Sequence, residues 1–174
     1  MRDTELLWPK AGRVLITMRS WLKTKRMVAV RVSERVLSDV WWPFSMKKSG
    51  INETQAEKSL VLWLNSTLGI LMLLAHREET RGAWVQFKKP VLSDMPVLDL
   101  TQLSPETLAE LAKAYDALHG AMLLPLPEMG IDPTRAKIDA SVCKVLKLPA
   151  IDTIRQLLGQ EPLITLDIRP LVGM

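Results

Sequence analysis

The stretch ETQAEKSLVLWLNSTLGILMLLAH, residues 53–76, decides the fold that we predict for this chain of 174 residues. Its centre is apolar on almost every side, a composition typical of a helix at the core of a domain. Asn52 or Thr54 can cap the start of this helix. Gly69 costs about 1 kcal/mol relative to Ala, which is acceptable if another backbone approaches closely there. We therefore predict one long core helix on which strands pack.

This helix is too short to be a membrane span. Its most apolar part, Leu60–Ala75, has 16 residues and is interrupted by Asn65-Ser66-Thr67, whereas a span needs roughly 20 apolar residues. The N-terminal segment carries mixed charge and lacks the apolar run of a signal peptide. The single cysteine, Cys143, excludes an intramolecular disulfide. We expect a cytoplasmic protein that does not contact a membrane.

Short segments on either side of the helix predict a small sheet. Residues 13–18 and 27–32 are rich in Val and Ile and predict antiparallel neighbouring strands. Residues 39–44 predict a third strand, and Pro43 restricts it to an edge or an end of the sheet. Residues 83–88 alternate between apolar and polar side chains and predict a further strand.

Beyond residue 100 the pattern becomes helical. Ser104 and Asp132 are each followed by proline, the arrangement of an N-cap and a first helical residue. A last short helix is predicted over residues 152–158. The fold class is therefore α+β: a small mixed sheet packed on a long apolar helix in residues 1–100, followed by a helical C-terminal region in residues 101–174.

The charge of the chain is unevenly distributed. Residues 1–90 hold 16 Lys and Arg against 8 Asp and Glu, a net charge of +8, while residues 91–174 hold 7 against 11, a net charge of −4. A basic front half indicates a polyanion as partner, although lysine clusters are also common in solvated turns. The basic residues that we expect to contact phosphates are Lys23, Lys25, Arg26, Lys47, Lys48, Arg77, Arg81, Lys88 and Lys89.

Tryptophans accompany these cations. Trp84, Gln86 and Lys88 fall on one face of a predicted strand and could line a groove, because amides recognise adenine edges and lysine meets guanine or phosphate. Alternatively, Trp84 packs on the long helix. Trp41 and Trp42 cannot both face inward from a strand, so one of them is expected at a second interface, with another domain, a partner or a base.

The sequence offers little for catalysis. It contains neither a Gly-rich phosphate loop nor a G-x-S-x-G motif. His76 and His119 end predicted helices, where a cation suits the helix dipole. Glu78-Glu79 beside basic residues would suit a nuclease-like acid cluster, but an ion-paired surface turn is the simpler interpretation. We expect no metal site, no cofactor and no enzymatic activity.

The run LVLWLNSTLGILMLLAHREETRGAWVQFKKPVLSDMPVLD, Leu60–Asp99, resembles the C-terminal target-recognition region of adenine-specific DNA methyltransferases from restriction-modification and related defence systems. The matching parts are Asn65-Ser66, Leu68–Leu74, Gly82, Val85–Lys88, and Leu92 with Pro96-Val97. The upstream strands with Trp41-Trp42-Pro43 are also similar. In the tail, Arg135-x-x-x-Asp139 and Leu146-x-Leu148-Pro149 resemble the helical ending of such enzymes.

The resemblance implies a target-recognition-like domain without the catalytic domain. The cofactor-binding loop and the Asn/Asp-Pro-Pro-aromatic tetrapeptide of that family are absent from this sequence. The expected function is therefore sequence-specific binding of double-stranded DNA, in partnership with a methyltransferase catalytic domain or subunit. The alternative is a protein-protein interaction or structural subunit that docks onto a methyltransferase, with Trp41 or Trp42 at the interface.

Overall fold

The structure, a computed structural model of the chain, describes residues 4–46, 50–79 and 84–165. The helices are α1 Thr4–Leu7, α2 Glu53–Leu64, α3 Thr67–Ala75, α4 Lys89–Asp94, α5 Pro105–Leu118, α6 Pro133–Leu146, α7 Asp152–Gly159 and α8 Pro162–Thr165. The strands are β1 Gly12–Thr17, β2 Arg19–Trp21, β3 Ala29–Val36, β4 Trp41–Phe44, β5 Glu78–Glu79 and β6 Trp84–Gln86. Helices and small antiparallel sheets together give the predicted α+β class.

The first sheet has the order β3-β1-β4. Its strands β1 and β3 are antiparallel neighbours, with Leu15 opposite Val30, as the two Val/Ile-rich segments predict. Strand β4 pairs with the other side of β1 and forms an edge, which agrees with the position of Pro43 in it. One face of this sheet packs on α2 through buried side chains such as Val14 and Ile16.

A second sheet has the order β2-β6-β5. Only Met18 separates β1 from β2, and its carbonyl oxygen accepts a hydrogen bond from the Phe87 N–H at 2.9 Å. The chain thus passes directly from one sheet to the other. Ser20 and Val85 are buried beneath the second sheet, which leaves the alternate residues of β2 and β6 facing outward.

The prediction of one continuous helix over the apolar stretch is wrong, because α2 and α3 are bent by 74° at Asn65 and Ser66. The Asn65 amide accepts from the Val28 N–H at 2.9 Å and donates to the Ala29 carbonyl at 2.7 Å. Ser66 caps α3 by accepting from the Gly69 N–H at 3.3 Å. Such side chains compete with the helical backbone for its hydrogen bonds, and here the competition ends α2.

Gly69 permits this bend. A Cβ atom at this position would overlap the carbonyl oxygen of Trp63 and the backbone of Leu64. The close backbone approach that the sequence suggested is therefore present, and it comes from the end of α2. In the described part of the chain, no single helix has the length and apolar composition needed to cross a membrane; α2 and α3 reach them only as a bent pair.

A buried polar junction braces the bend from the second half of the chain. Asp139 accepts from the Thr67 N–H at 2.8 Å, from the Thr67 hydroxyl at 2.7 Å and from Arg155 at 3.1 Å. Arg135 donates to the carbonyl of Asn65 at 2.6 Å and to the carbonyl of Arg26 at 2.7 Å. We call Asn65, Thr67, Arg135, Asp139 and Arg155 the junction.

The segment between β6 and the second half is helical at its start. Pro90 lies in the first turn of α4, where a missing N–H breaks no intrahelical hydrogen bond. In the docking segment that the resemblance implies, Leu92 is buried whereas Val97 is about half exposed.

The second half shares its core with the first. Ser104 and Asp132 cap α5 and α6 as predicted, each through its side-chain oxygen. Helix α5 packs along α2, and one hydrophobic cluster joins Leu60 and Val61 to Leu111 and Ile138 without a break near residue 100. The helical part therefore holds the sheet-bearing part in place.

Candidate nucleic-acid interface

A cleft of about 440 Å³ opens beside the second sheet. It lies between β2, β6, the loop that follows β2, and the edge strand β4. Its walls carry the cations Arg19, Lys25 and Arg26 and the tryptophans Trp21, Trp41 and Trp84. We call these six residues the basic-aromatic cleft. No carboxylate lies among the described residues that line it.

Two of the tryptophans form a cross-strand pair. Trp21 lies directly opposite Trp84, with the ring centroids 6.1 Å apart and the rings tilted by 40°. Such pairs stabilise a sheet by about 0.5–1.5 kcal/mol. However, the residues remain 39% and 45% exposed, far more than the tryptophan in the core. The pair thus presents apolar, polarisable surface to the cleft.

Next to this pair, two polar side chains face the same way. Arg19 lies opposite Gln86 in the register of β2 and β6, two residues from Trp21 and Trp84 respectively. Arginine can form two hydrogen bonds with guanine, and glutamine can do so with adenine. An Arg–Gln pair on the outward face of this sheet is therefore chemically suited to contact base edges.

The third wall is the loop that follows β2. The Lys25 ammonium lies 4.5 Å from the ring centroid of Trp41, a cation–π contact. Burial lowers the pKa of Lys25, because partial removal from water disfavours its charged form. Arg26 donates to the carbonyl of Leu123 at 3.2 Å, and the Leu126 N–H donates to the carbonyl of Lys25 at 2.8 Å. The helical half therefore fixes this loop and the cations on it.

The structure brings together only part of the predicted set. Lys25, Arg26, Trp41 and Trp84 line the cleft, and Gln86 adjoins it on β6.

The remaining predicted cations lie elsewhere. Lys88 forms an ion pair with Glu78 at 2.6 Å. Lys89 is exposed at the start of α4 and lines a separate pocket of about 400 Å³ together with Lys10 and Trp42. Arg77 donates to the Leu74 carbonyl at the end of α3, and Lys23 is half-buried in the turn after β2. Lys47, Lys48 and Arg81 lie outside the described residues.

The two adjacent tryptophans of β4 have different surroundings. The Trp42 indole N–H donates to the Phe87 carbonyl at 2.7 Å, and its ring packs against the hydrophobic core. Trp41 instead lies under Lys25 at the cleft. Of the two, Trp41 is the one whose surface is directed away from the core.

Arg19 and Trp21 were not among the residues that we predicted from the sequence. Residues 19–26 read as a connector between two strands, but their first three residues form β2 and pair with a strand more than 60 positions later in the chain. The sequence Arg19-Ser20-Trp21 carries no alternation of polar and apolar residues and is too short to indicate a strand.

Other basic residues of the front half serve the fold. Arg13 and Arg31 each donate to the buried carboxylate of Glu57 at 2.9 Å. The Arg35 guanidinium donates to the Ala11 carbonyl at 2.8 Å. Arg13 and Arg31 hold the first sheet against α2, and Arg35 fixes the chain just before β1, so the excess positive charge overstates the number of cations available for a polyanion.

The described residues contain no group of three or more His, Cys, Asp or Glu side chains placed to hold a metal ion. Burial raises the pKa of the Cys143 thiol, and the charges of Asp139 and Asp152 add to this effect, so the thiol is a poor nucleophile.

Comparison of the chain with protein-family models, with curated proteins and with solved structures finds no match. Function is therefore inferred from the chemistry of the cleft and from the sequence.

Proposed function

We propose that this chain is a double-stranded DNA-binding module that reads sequence for a DNA adenine methyltransferase of a restriction-modification or phage-defence system. The observation that carries the proposal is the basic-aromatic cleft: three cations and three tryptophans meet in one cavity whose described lining has no carboxylate. Cations supply the affinity for phosphates, and planar or amide groups supply the discrimination between bases.

The roles divide among the walls of the cleft. Lys25 and Arg26 lie on the loop and suit phosphate contacts, because their positions are fixed by the helical half. Arg19 and Gln86 face outward from neighbouring strands and suit base-edge contacts. Lys88 and Lys89 would add phosphate contacts at the end of β6.

Such a module leaves the chemistry to another protein. An enzyme that modifies a base within a duplex must take that base out of the stack, and a second domain can hold the flanking DNA meanwhile. We expect this chain to bind no cofactor and to act in the cytoplasm beside a methyltransferase catalytic domain or subunit.

A second candidate function is docking onto a protein partner, and the exposed apolar residues of the helical half favour it. Ile154 and Leu157 lie one turn apart on α7 and are exposed, and Leu157 is 63% exposed. The backbone of Gly130 packs closely against Gln156 of α7, so the neighbouring Ile131, which is exposed, lies beside the same helix. A methyltransferase subunit could bind here while the cleft contacts DNA, or this docking could be the whole function, with Trp41 as a further anchor.

Titration of the chain with duplex DNA at several salt concentrations tests the first proposal. We expect binding at ~50 mM salt and a steep fall in affinity as salt rises, because each phosphate contact releases a counterion. No binding at low salt would contradict it. Calorimetry with S-adenosylmethionine should show no heat of binding, and a saturable heat would contradict the non-catalytic role.

The second function is tested by co-purification with a methyltransferase subunit on a size-exclusion column. Leu157→Lys should abolish a complex that forms through α7, since it puts a charge into an apolar contact. The matched variant Lys137→Gln, which alters an exposed residue of α6, should leave the complex intact. If the complex survives Leu157→Lys, docking through α7 is wrong.

A further inference from the structure

The basic-aromatic cleft has more aromatic surface than contact with a paired duplex requires. In a paired duplex the faces of the bases are covered by their neighbours, and only edges and phosphates are presented. A base edge offers apolar contact mainly at the thymine methyl group, whereas Trp21 and Trp84 together expose a pair of aromatic rings. Aromatic side chains in basic grooves are instead the usual platforms for bases that have left the stack.

We propose that the basic-aromatic cleft binds a single unstacked base of DNA, with the base against the Trp21–Trp84 pair and its phosphate among the cations. This inference rests on the proposed function, whose duplex would supply the base. The volume of about 440 Å³ lies within the range of about 300–1,000 Å³ that is usual for small-ligand sites.

The arrangement of the walls supports a nucleotide as the occupant. Arg19 is two residues from Trp21 on the same outward face, so a cation adjoins the aromatic platform. Across the cleft, the Lys25 ammonium is held against the Trp41 ring. A nucleotide needs an aromatic surface beside a cation, and both walls of this cleft provide that combination.

Two other cavities also contain aromatic rings and cations but suit a nucleotide less well. The pocket of about 400 Å³ beside Lys10, Lys89 and Trp42 includes the carboxylate of Asp39, which opposes an anion. The cleft of about 220 Å³ between β3, α2 and α5 contains Tyr115, but its one Lys or Arg side chain, Arg31, donates to Glu57, and the rest of its lining is mainly aliphatic. Of these three cavities, the basic-aromatic cleft is the one whose chemistry best fits a nucleotide.

The tryptophan pair is not needed to complete the core. The buried positions of the second sheet are occupied by Ser20 and Val85, which are 2% and 1% exposed. Loss of one indole from the outward face would remove a cross-strand contact but would leave the hydrophobic core intact. Variants of Trp21 can therefore report on binding in a folded protein.

The test measures the affinity of the full chain for a short paired duplex, for the same duplex with one unpaired adenine, and for the single strand, by fluorescence anisotropy. The readout is the ratio of the affinities for the unpaired-base and paired duplexes. We expect the unpaired base to tighten binding about tenfold, equivalent to about 1.4 kcal/mol. Trp21→Leu should bring this ratio close to one, and Trp21→Phe should retain most of it.

Trp8→Leu is the matched control, because Trp8 is 53% exposed and lies outside the cleft. It should keep the ratio of the unsubstituted chain. If Trp21→Leu does not fold by circular dichroism, Trp84→Leu replaces it. A ratio of one in the unsubstituted chain, or an unchanged ratio in the Trp21 and Trp84 variants, overturns the inference while duplex binding stands. Absence of duplex binding together with Trp21-dependent binding of the single strand overturns the proposed function and supports the unstacked-base site.

Discussion

The junction and the basic-aromatic cleft are both built from polar and charged side chains, but they use them in opposite ways. At the junction, Arg135 and Asp139 are buried and their hydrogen bonds go to other parts of the chain. In the cleft, Arg19 is exposed and faces outward from β2. In the junction, charged side chains form buried hydrogen bonds that fix the backbone, whereas in the cleft charged side chains face solvent.

This difference shows where the motifs that resemble a target-recognition region act in the fold. Asn65-Ser66 and Arg135-x-x-x-Asp139 meet in the junction, where they bend the core helix and brace it. They specify a shape and do not face the cleft. Arg135 also donates to the carbonyl of Arg26, so the same junction fixes the loop that carries the cations of the cleft. These motifs therefore support the shape of the cleft without lining it.

The junction predicts the largest effect on stability. Asp139→Ala removes the acceptor of two Thr67 groups and one partner of the buried Arg155. Breaking a buried pair in this way costs about 3–5 kcal/mol, which chemical denaturation would measure. The control is Asp116→Ala, because Asp116 is half exposed and pairs with Lys58 at 2.7 Å; it should cost about 1 kcal/mol or less. Equal losses in the two variants would contradict the distinction between the junction and a surface pair.

The bend itself predicts opposite effects for two glycines. Gly69→Ala should destabilise the fold by about 1–3 kcal/mol, because the added Cβ overlaps the backbone at the end of α2. Gly120→Ala has open space around the added atom, so we expect no loss of stability and a gain of up to about 1 kcal/mol. Thermal melting of both variants checks this, and stabilisation by Gly69→Ala would show that the helix break is absent.

In the cleft, a substitution should lower DNA affinity without lowering the stability of the fold. Lys25→Met removes a cation that suits a phosphate contact, so DNA affinity should fall about five- to tenfold at moderate salt. Stability should be unchanged or higher, since burial in the fold lowers the pKa of Lys25 and thus opposes its charge. Between this lowered pKa and the ordinary value of 10.5, the unfolded state binds more protons, so stability rises with pH.

The Lys25→Met variant should lack this rise, and unfolding measured across that pH interval would show it. The same rise in both proteins would mean that another group causes it. A loss of stability at neutral pH in the variant would place Lys25 with the junction, as a residue that the fold requires.

The smallest effect is expected at the end of the second sheet. Glu78 lies opposite Gln86 and pairs with Lys88, and both side chains of this ion pair are substantially exposed. Glu78→Gln should change the free energy of unfolding by about 1 kcal/mol or less. Because it removes a negative charge near the outward face, DNA affinity should rise slightly, as a binding titration at low salt would show. A fall in affinity would indicate that Lys88 must be held by Glu78 to contact DNA.

Local signals predicted the parts of the fold that depend on neighbouring residues. The caps Ser104 and Asp132 are recognisable because the side chain and the backbone groups that it binds lie within three residues. The helix break was missed because Asn65 binds the backbone of Val28 and Ala29, which are 37 and 36 positions away. An Asn in an apolar helix gives no sign of such remote partners.

The candidate site shows the same division. Trp84 and Gln86 could be assigned to one strand face from alternation alone. Arg19 and Trp21 could not, since the pairing of β2 with β6 joins distant segments. Likewise, the sequence favoured a surface turn at Glu78-Glu79, but these residues form β5, and the ion pair of Glu78 with Lys88 depends on how β5 meets β6.

The most direct test of the cationic cleft as a duplex-binding surface is the salt dependence of duplex affinity in two matched double variants. Lys25→Gln with Arg26→Gln removes the two cations of the cleft that suit phosphate contacts, and Lys113→Gln with Lys137→Gln removes two exposed charges of the helical half. The cleft variant should lower the slope of log affinity against log salt by about two, because each phosphate contact contributes about one to the slope. The helical variant should leave the slope unchanged. Equal slopes for the cleft variant and the unsubstituted chain would contradict the account.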